Sequence, residues 1–236
     1  MITNKKTFTL GIVLMFSFMA VFAFIMSPSF GNGRNGLEYA DDMFNSLSKG
    51  SAYFIEEEMG KADQMTGHEI NVTIAAADNT QAQTWEKLYT AAGADISVSG
   101  TELTLSGDLG GILKAAIADS DAMYNNQGDR IAGSYGVEAK VAVYGWHTSF
   151  KAISAALEKQ QSFAESAAIQ SVMQKALEPS YNYYGIEPKK VADYAAVVIL
   201  LLVFYVVYTM WYGFAIYFLA DGFGITATKS AQKVQA

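Results

Sequence analysis

The sequence predicts a membrane-anchored α+β protein. N- and C-terminal transmembrane helices bracket a mainly helical extracytoplasmic domain that contains a small βαββα unit. Two uncharged runs and one change of rhythm predict this class. Residues 8–26 give 19 positions without a charge, and residues 194–220 give 27. A helix needs about 20 apolar residues to cross the hydrocarbon core. Between the runs, the spacing of apolar residues switches from helical to alternating and back, which marks strands among helices. The domain plan is a cytoplasmic tail at 1–7, a first transmembrane helix at 8–28, an α+β domain at 29–190, a second transmembrane helix at 191–220 and a second cytoplasmic tail at 221–236.

The first run is longer than the apolar core of a secretory signal, about 7–15 residues, and no small-x-small cleavage site follows it. It therefore reads as a retained signal anchor, with cleavage near Ser27-Pro28-Ser29 as the alternative. Residues 27–36 are turn-rich and read as the exit from the span. Leu37, Ala40, Phe44, Leu47, Phe54, Ile55 and Met59 follow helical spacing. They predict one helix with a soft point at Gly50 and with Glu56, Glu57 and Glu58 near its end, where the macrodipole disfavours them.

The sheet unit is expected over about 68–125. Ile70, Val72 and Ile74 alternate with polar residues and predict a first strand. Thr80 and Gln83 form a capping box ahead of Ala82, Trp85, Leu88, Tyr89 and Ala92, which share one helix face. Ile96 and Val98 predict a second strand, and Leu103 and Leu105 a third. Asp108 caps the next helix, whose stripe runs through Leu109, Ile112, Leu113, Ala116, Ile117, Met123 and Tyr124. The two helices would cover one face of the sheet.

Residues 125–136 read as a loop by composition. Val137, Ala139, Val141 and Val143 alternate like a strand, and a fourth strand would complete a ferredoxin-like sandwich. The helical stripe Val143, Trp146, Phe150, Ile153 and Leu157 begins in the same run, so a long helical segment over about 137–178 is the preferred reading. Gly145 is its weak point. The stripe continues through Ala164, Ala168, Val172, Ala176 and Leu177 to Pro179, and residues 180–185 form an aromatic connector.

Charge sets the expected orientation. Lys5, Lys6, Lys229 and Lys233 lie outside the spans, whereas residues 30–190 hold 12 basic and 21 acidic residues. The positive-inside rule then places both tails in the cytoplasm and the middle domain across a plasma or inner membrane. Those tails, of about six and fifteen residues, are too short to fold an output domain. A self-contained sensor kinase or chemoreceptor is excluded on that expectation.

Composition narrows the chemistry. There is no cysteine, and charged residues make up 17% against about 25% in soluble domains. Disulfides, thiolate metal sites and cysteine nucleophiles are excluded. Neither run holds a histidine, which excludes a haem ligated between these two spans. Neither holds Asp, Glu, Lys or Arg in its interior, which argues against a transporter working alone. His68 and His147 have no ligand partner at metal-site spacing, so no metal and no cofactor are expected. Gly107-Asp108-Leu109-Gly110-Gly111 lacks the lysine of a phosphate loop and reads as a tight strand-to-helix turn. Asp41-Asp42, Glu56–Glu58 and Asp119 with Asp121 read as solvated faces. No GxSxG elbow is present, and the acidic middle argues against nucleic acid.

The candidate functional feature is the aromatic second run. Phe204, Tyr208 and Trp211 share one face, with Tyr205 and Tyr212 beside it. Tyrosine hydroxyls in hydrocarbon seek partners, so this face is expected to dock another helix, ahead of a quinone-like ring or a lipid, with ordinary lipid contact and an interfacial belt as the alternative. No GxxxG pair is available: Gly11 stands alone in the first run, and Gly213 has no small residue four positions before it. The expected function is a non-enzymatic accessory or scaffold subunit of a larger membrane assembly. Its expected partners are the lipid bilayer and other membrane subunits, with a homo-oligomer as a further possibility. The alternative is a small-ligand-binding module that works with a separate transporter or sensor. An enzyme of the cell envelope rests only on polar residues without an assigned role.

Overall fold

The computed structural model describes residues 2–225 and divides the chain into two compact units. One comprises residues up to 44 together with those from 190 onward; the other comprises residues 45–189. The expected tail beyond residue 225, with Lys229 and Lys233, lies outside the described residues. The protein is mostly helical, with one antiparallel sheet of three strands and an apolar helix toward each end.

The first unit is built on those two helices, α1 (Lys5–Ile25) and α10 (Val191–Gly222). Both are long and apolar enough to cross a membrane. Asn4 caps α1, its side chain accepting from the Lys6 and Thr7 amides. The helices pair antiparallel: the Thr3 and Asn4 amides reach the Gly222 carbonyl at 2.8 and 3.1 Å. On α10 the covered positions Tyr208, Trp211, Ala215, Phe218 and Gly222 alternate by three and four, the rhythm of a left-handed helix pair. The rest of the unit is the turn-rich exit of α1 and the start of α2 (Gly36–Lys49). Asn35 begins α2 with a reciprocal capping box. Its Oδ1 accepts from the Leu37 and Glu38 amides, and its own amide donates to Glu38 Oε2, all at 2.9 Å.

In the second unit the expected order of strand, helix, strand, strand, helix is present as β1 (Glu69–Ala75), α4 (Asn79–Ala91), β2 (Asp95–Ser99), β3 (Glu102–Asp108) and α5 (Leu109–Tyr124). The sheet order is β1-β3-β2. Val72 and Ile96 both lie opposite Leu105, so the apolar side chains of all three strands share one face. The other face carries Asn71, Thr73, Thr104 and Ser97. Trp85, Leu88 and Tyr89 of α4 and Ile112, Leu113 and Ile117 of α5 fill the core. A third helix, α7 (Ala139–Lys159), also packs on β1. Residues from Ala139 are therefore helical, and the alternative fourth strand is not formed. Gly145 is where α7 meets α4: a Cβ there would lie 3.0 Å from Leu88 Cδ1.

Several boundaries differ from the sequence reading, each for a local reason. Asp78, not Thr80, caps α4: its Oδ1 accepts from the Gln81 amide while Gln81 Oε1 accepts from the Ala77 amide. The helix expected over 37–59 is two helices. α2 stops at Lys49, whose carbonyl accepts the Tyr124 hydroxyl, and α3 (Ile55–Gln64) starts afresh. Glu56, Glu57 and Glu58 thus occupy a first turn, where the macrodipole favours them, the reverse of the expectation. Residues 128–135 form a short helix, α6 (Gly128–Tyr135), instead of a loop. Buried Ile131 and the Tyr135–Asp119 hydrogen bond hold it despite its glycines.

The long segment expected to Pro179 breaks after α7. Gln161 adopts φ 64°, the Ser162 amide reaches the Leu157 carbonyl and the Gln161 amide reaches that of Glu158. That is a Schellman ending with glutamine where glycine is usual. α8 (Phe163–Val172) then passes through a π turn, Met173–Leu177, into α9 (Glu178–Asn182). Pro179 accounts for the π turn. It has no amide hydrogen, and its ring would clash with the carbonyl four residues back in a regular helix.

Candidate functional site

The aromatic face of α10 is divided by its own partner helix. Tyr208 stacks on Phe18 of α1 with centroids 4.4 Å apart, and Tyr212 meets the same ring at 5.1 Å. Trp211 Nε1 donates to the Leu14 carbonyl at 3.1 Å. Phe204 stacks on Tyr208 at 5.3 Å from the outer side, and Tyr205 is 67% exposed. Three of the five residues therefore meet α1, and two continue the face outward. The Tyr208 hydroxyl is buried and, among the described residues, has no hydrogen-bond partner.

What closes the pair elsewhere is small-residue contact. A Cβ on Gly11 would lie 2.7 Å from the Leu219 amide nitrogen, and a Cβ on Gly222 would lie 2.7 Å from Phe8 Cα. Ala215, one heptad before Gly222 on α10, is fully buried. Gly222 and Ala215 escaped the sequence reading because they are seven apart. A search for pairs four apart misses them, whereas a heptad-spaced search for small residues would have found them.

Where the large rings hold the helices, an apolar groove of about 910 Å³ opens within this unit. Phe18 and Phe22 of α1, Leu37 and Phe44 of α2, and Leu200 and Tyr205 of α10 are among its walls. α2 bounds it on one side with an apolar stripe; its polar side carries Asp42 in an ion pair with Arg34. The groove joins Phe204, Tyr205, Tyr208 and Tyr212 of the predicted face to residues of α1 and α2 that the sequence did not associate with them.

The second unit places the other candidates apart from one another. His68 Nδ1 lies 3.1 Å from Glu165 Oε1, and His147 Nε2 lies 3.3 Å from Glu178 Oε1. Among the described residues no group of three His, Cys, Asp or Glu could hold a metal ion. The glycine-rich turn binds its own chain. Asp108 accepts from the Gly67 and Gly111 amides, the Gly110 amide donates to the Met65 carbonyl, and a Gly110 Cβ would lie 2.6 Å from the Thr66 nitrogen. Asp119 accepts from Tyr135 and Trp146 through one oxygen at 2.6 and 2.8 Å, and burial pushes its carboxyl pKa up.

Two polar residues unnoticed in the sequence form a hub at the end of the second unit. Lys49 is 1% exposed, and its Nζ donates to the Ile186 and Tyr183 carbonyls at 2.6 and 3.1 Å. Its ammonium also lies 5.0 Å from the Tyr124 ring centroid, and burial pushes its pKa down. Asn126, at φ 59°, accepts from the Gly185 amide and donates to the Ile186 carbonyl and Glu187 Oε1. Together they hold the connector that leads into α10.

Compared with protein-family models, with curated proteins and with solved structures, the chain matches none.

Proposed function

We propose that α1 and α10 both span a bilayer, with the 45–189 unit on the extracytoplasmic side, and that the protein is a non-enzymatic accessory subunit of a larger membrane assembly. Its docking site is the groove bounded by α1, α2 and α10, and the occupant is an apolar helix of a partner subunit. The observation that carries this reading is the groove itself, an apolar cleft of about 910 Å³ continuous with the α1–α10 seam. One turn of helix is about 5.4 Å long and 10 Å across, so the cleft has room for roughly two turns. The outward members of the aromatic face, Phe204 and Tyr205, lie on its wall. In the hydrocarbon core, association draws on close packing and on partners for polar groups. A shaped cleft beside the Tyr208 hydroxyl, which has no hydrogen-bond partner among the described residues, supplies the first and calls for the second.

A photo-reactive amino acid placed at Leu200 or Tyr205, in native membranes, tests the proposal. The expected result is a crosslink to one membrane protein from both positions and none from Phe214, which is exposed on α10 and outside the groove walls. Lipid adducts alone, or a lone monomer in mild detergent, would overturn it. A crosslink to a second copy would replace the partner subunit with self-association. A cysteine introduced at Asn79 tests orientation and should react with an impermeant reagent in intact cells.

A further inference from the structure

We infer that the second unit carries a binding site for a small organic cation, an alkylammonium of choline size, in the cleft between α7 and α9. The site is independent of the membrane reading, because every residue in it belongs to the 45–189 unit.

The cleft encloses about 170 Å³. Its floor is apolar: Val143 of α7 and Leu177 of the π turn are each 1% exposed. Its walls are two tyrosines, Tyr144 from α7 and Tyr181 from α9, with ring centroids 6.4 Å apart and planes inclined at 45°. Glu178 stands at the same opening, its side chain 48% exposed, and His147 Nε2 lies 3.3 Å from its Oε1. The chain builds this arrangement locally. Tyr144 and His147 are three apart on α7, as are Glu178 and Tyr181 on α9, so each pair projects from one helix face. The π turn required by Pro179 adds a residue to the helix just ahead of Glu178, which resets the face that Glu178 and Tyr181 present.

Charge selects the ligand. Aromatic faces are negative, and a carboxylate beside them adds a full negative charge. An anion would be repelled, and a neutral hydrocarbon would leave the carboxylate unused. The protein already shows the preference: Lys140 holds its ammonium 5.5 Å from the Tyr181 ring centroid. Lys140 is exposed, so this internal cation is replaceable. Cation–π contact is weak at a partly exposed ring and stronger where water is excluded. Two rings, a carboxylate and an apolar floor then give millimolar affinity, on the order of 1–10 mM.

The test uses the full-length protein in maltoside detergent, which carries no ammonium group. Choline is the probe, and 3,3-dimethylbutan-1-ol, the same shape without the charge, is its control. The readout is the ring resonances of isotope-labelled tyrosine, with Tyr144 and Tyr181 assigned through Y144F and Y181F. Choline should shift both in a saturable manner, and the neutral alcohol should not. E178Q should weaken binding by about tenfold, the scale of one lost charge contact. K140M should tighten it, because the competing ammonium is gone. A merely structural cluster would not predict that gain. Both substitutions are at exposed or half-exposed side chains, and an unchanged Trp146 signal reports an intact core. Absence of saturation, an equal response to the alcohol, unchanged affinity in E178Q or weakened affinity in K140M would each overturn the site.

Discussion

The closeness of α1 and α10 makes a sharp prediction about two glycines. A Cβ added at Gly11 would stand 2.7 Å from the Leu219 nitrogen and 3.0 Å from the Phe218 carbonyl carbon. Both are backbone atoms, so no side-chain rotation relieves the clash and the helices must separate. Overpacking of this kind costs about 1–3 kcal/mol. Alanine returns about 0.8–1 kcal/mol of helix propensity, which leaves G11A destabilised by roughly 1 kcal/mol. Gly213 lies in the same apolar helix with nothing within 4 Å of its would-be Cβ. G213A receives the propensity gain alone, so its sign is opposite. The two variants should differ by roughly 2 kcal/mol, or about 4–8 °C in melting temperature for a chain of this size.

The assay follows from the three tryptophans. Trp85 and Trp146 belong to the second unit, and Trp211 lies on the seam. Fluorine NMR of the 5-fluorotryptophan protein in detergent therefore reads the helix pair separately from the rest. G11A should melt the Trp211 line earlier than wild type, and G213A later. Equal melting of the two variants, or a later transition in G11A, would refute the close-packed seam.

Other predictions concern the second unit. Asn126 is held at φ 59°, so N126G should retain more protection of the 183–189 amides in hydrogen exchange than N126A, by about 1 kcal/mol or a five-fold rate. D119N keeps an oxygen that can accept from both Tyr135 and Trp146, and should unfold within about 1 kcal/mol of wild type in urea. D119L leaves both donors unpaired and should lose about 3 kcal/mol. Because burial raises the Asp119 pKa in the folded state, its ionisation disfavours folding. The penalty is absent below the unfolded pKa of about 3.9 and grows as pH rises through the folded value, so wild type should lose ground to D119N from acid toward neutral pH. Hydrogen bonds from Lys61 and Lys175 pull the Glu57 carboxyl down to about 2. Its stabilising share is present above the ordinary value of about 4.3 and fades as pH falls toward 2. Carbon NMR titration should show this low midpoint, and K175M should raise it.

Elements set by local chemistry were legible in the sequence. The alternation at Ile70–Val72–Ile74 and the cap at Asp108 depend on neighbours within a few residues, and both are present. The uncharged runs likewise became α1 and α10. Breaks made without the usual punctuation were not legible. Gln161 ends α7 in a left-handed conformation that glycine usually marks, and α6 forms where glycines advertise a loop. In both cases longer-range contacts decide. Ser154 Oγ meets Ser166 Oγ at 2.8 Å across the α7–α8 turn, and Tyr135 reaches Asp119 from α6. The candidate sites divide in the same way. The aromatic residues of α10 could be named from one helix, but the groove needs Phe18, Leu37 and Phe44 from two others. Lys49 and Asn126 lie 77 residues apart, and no pattern within either segment announces the other.

The order of contacts along the seam explains why the groove opens where it does. From the Gly222 end of α10 the covered positions run Gly222, Phe218, Ala215, Trp211 and Tyr208. Gly222 meets Phe8, the Phe218–Leu219 backbone meets Gly11, Trp211 meets the Leu14 carbonyl and Tyr208 meets Phe18. Glycine faces backbone at the first contacts, so the helices touch there. Farther along, stacked rings stand between the backbones, as Tyr208 does on Phe18, and at that level the cleft begins. The same rings thus act as spacer and wall. If so, Y208A should not simply enlarge the cleft. Without the ring that separates them, α1 and α10 should close together, with cysteines at positions 21 and 201 crosslinking faster than in the otherwise unaltered protein. An unchanged crosslinking rate in Y208A would mean that α2, rather than the seam, holds the cleft open.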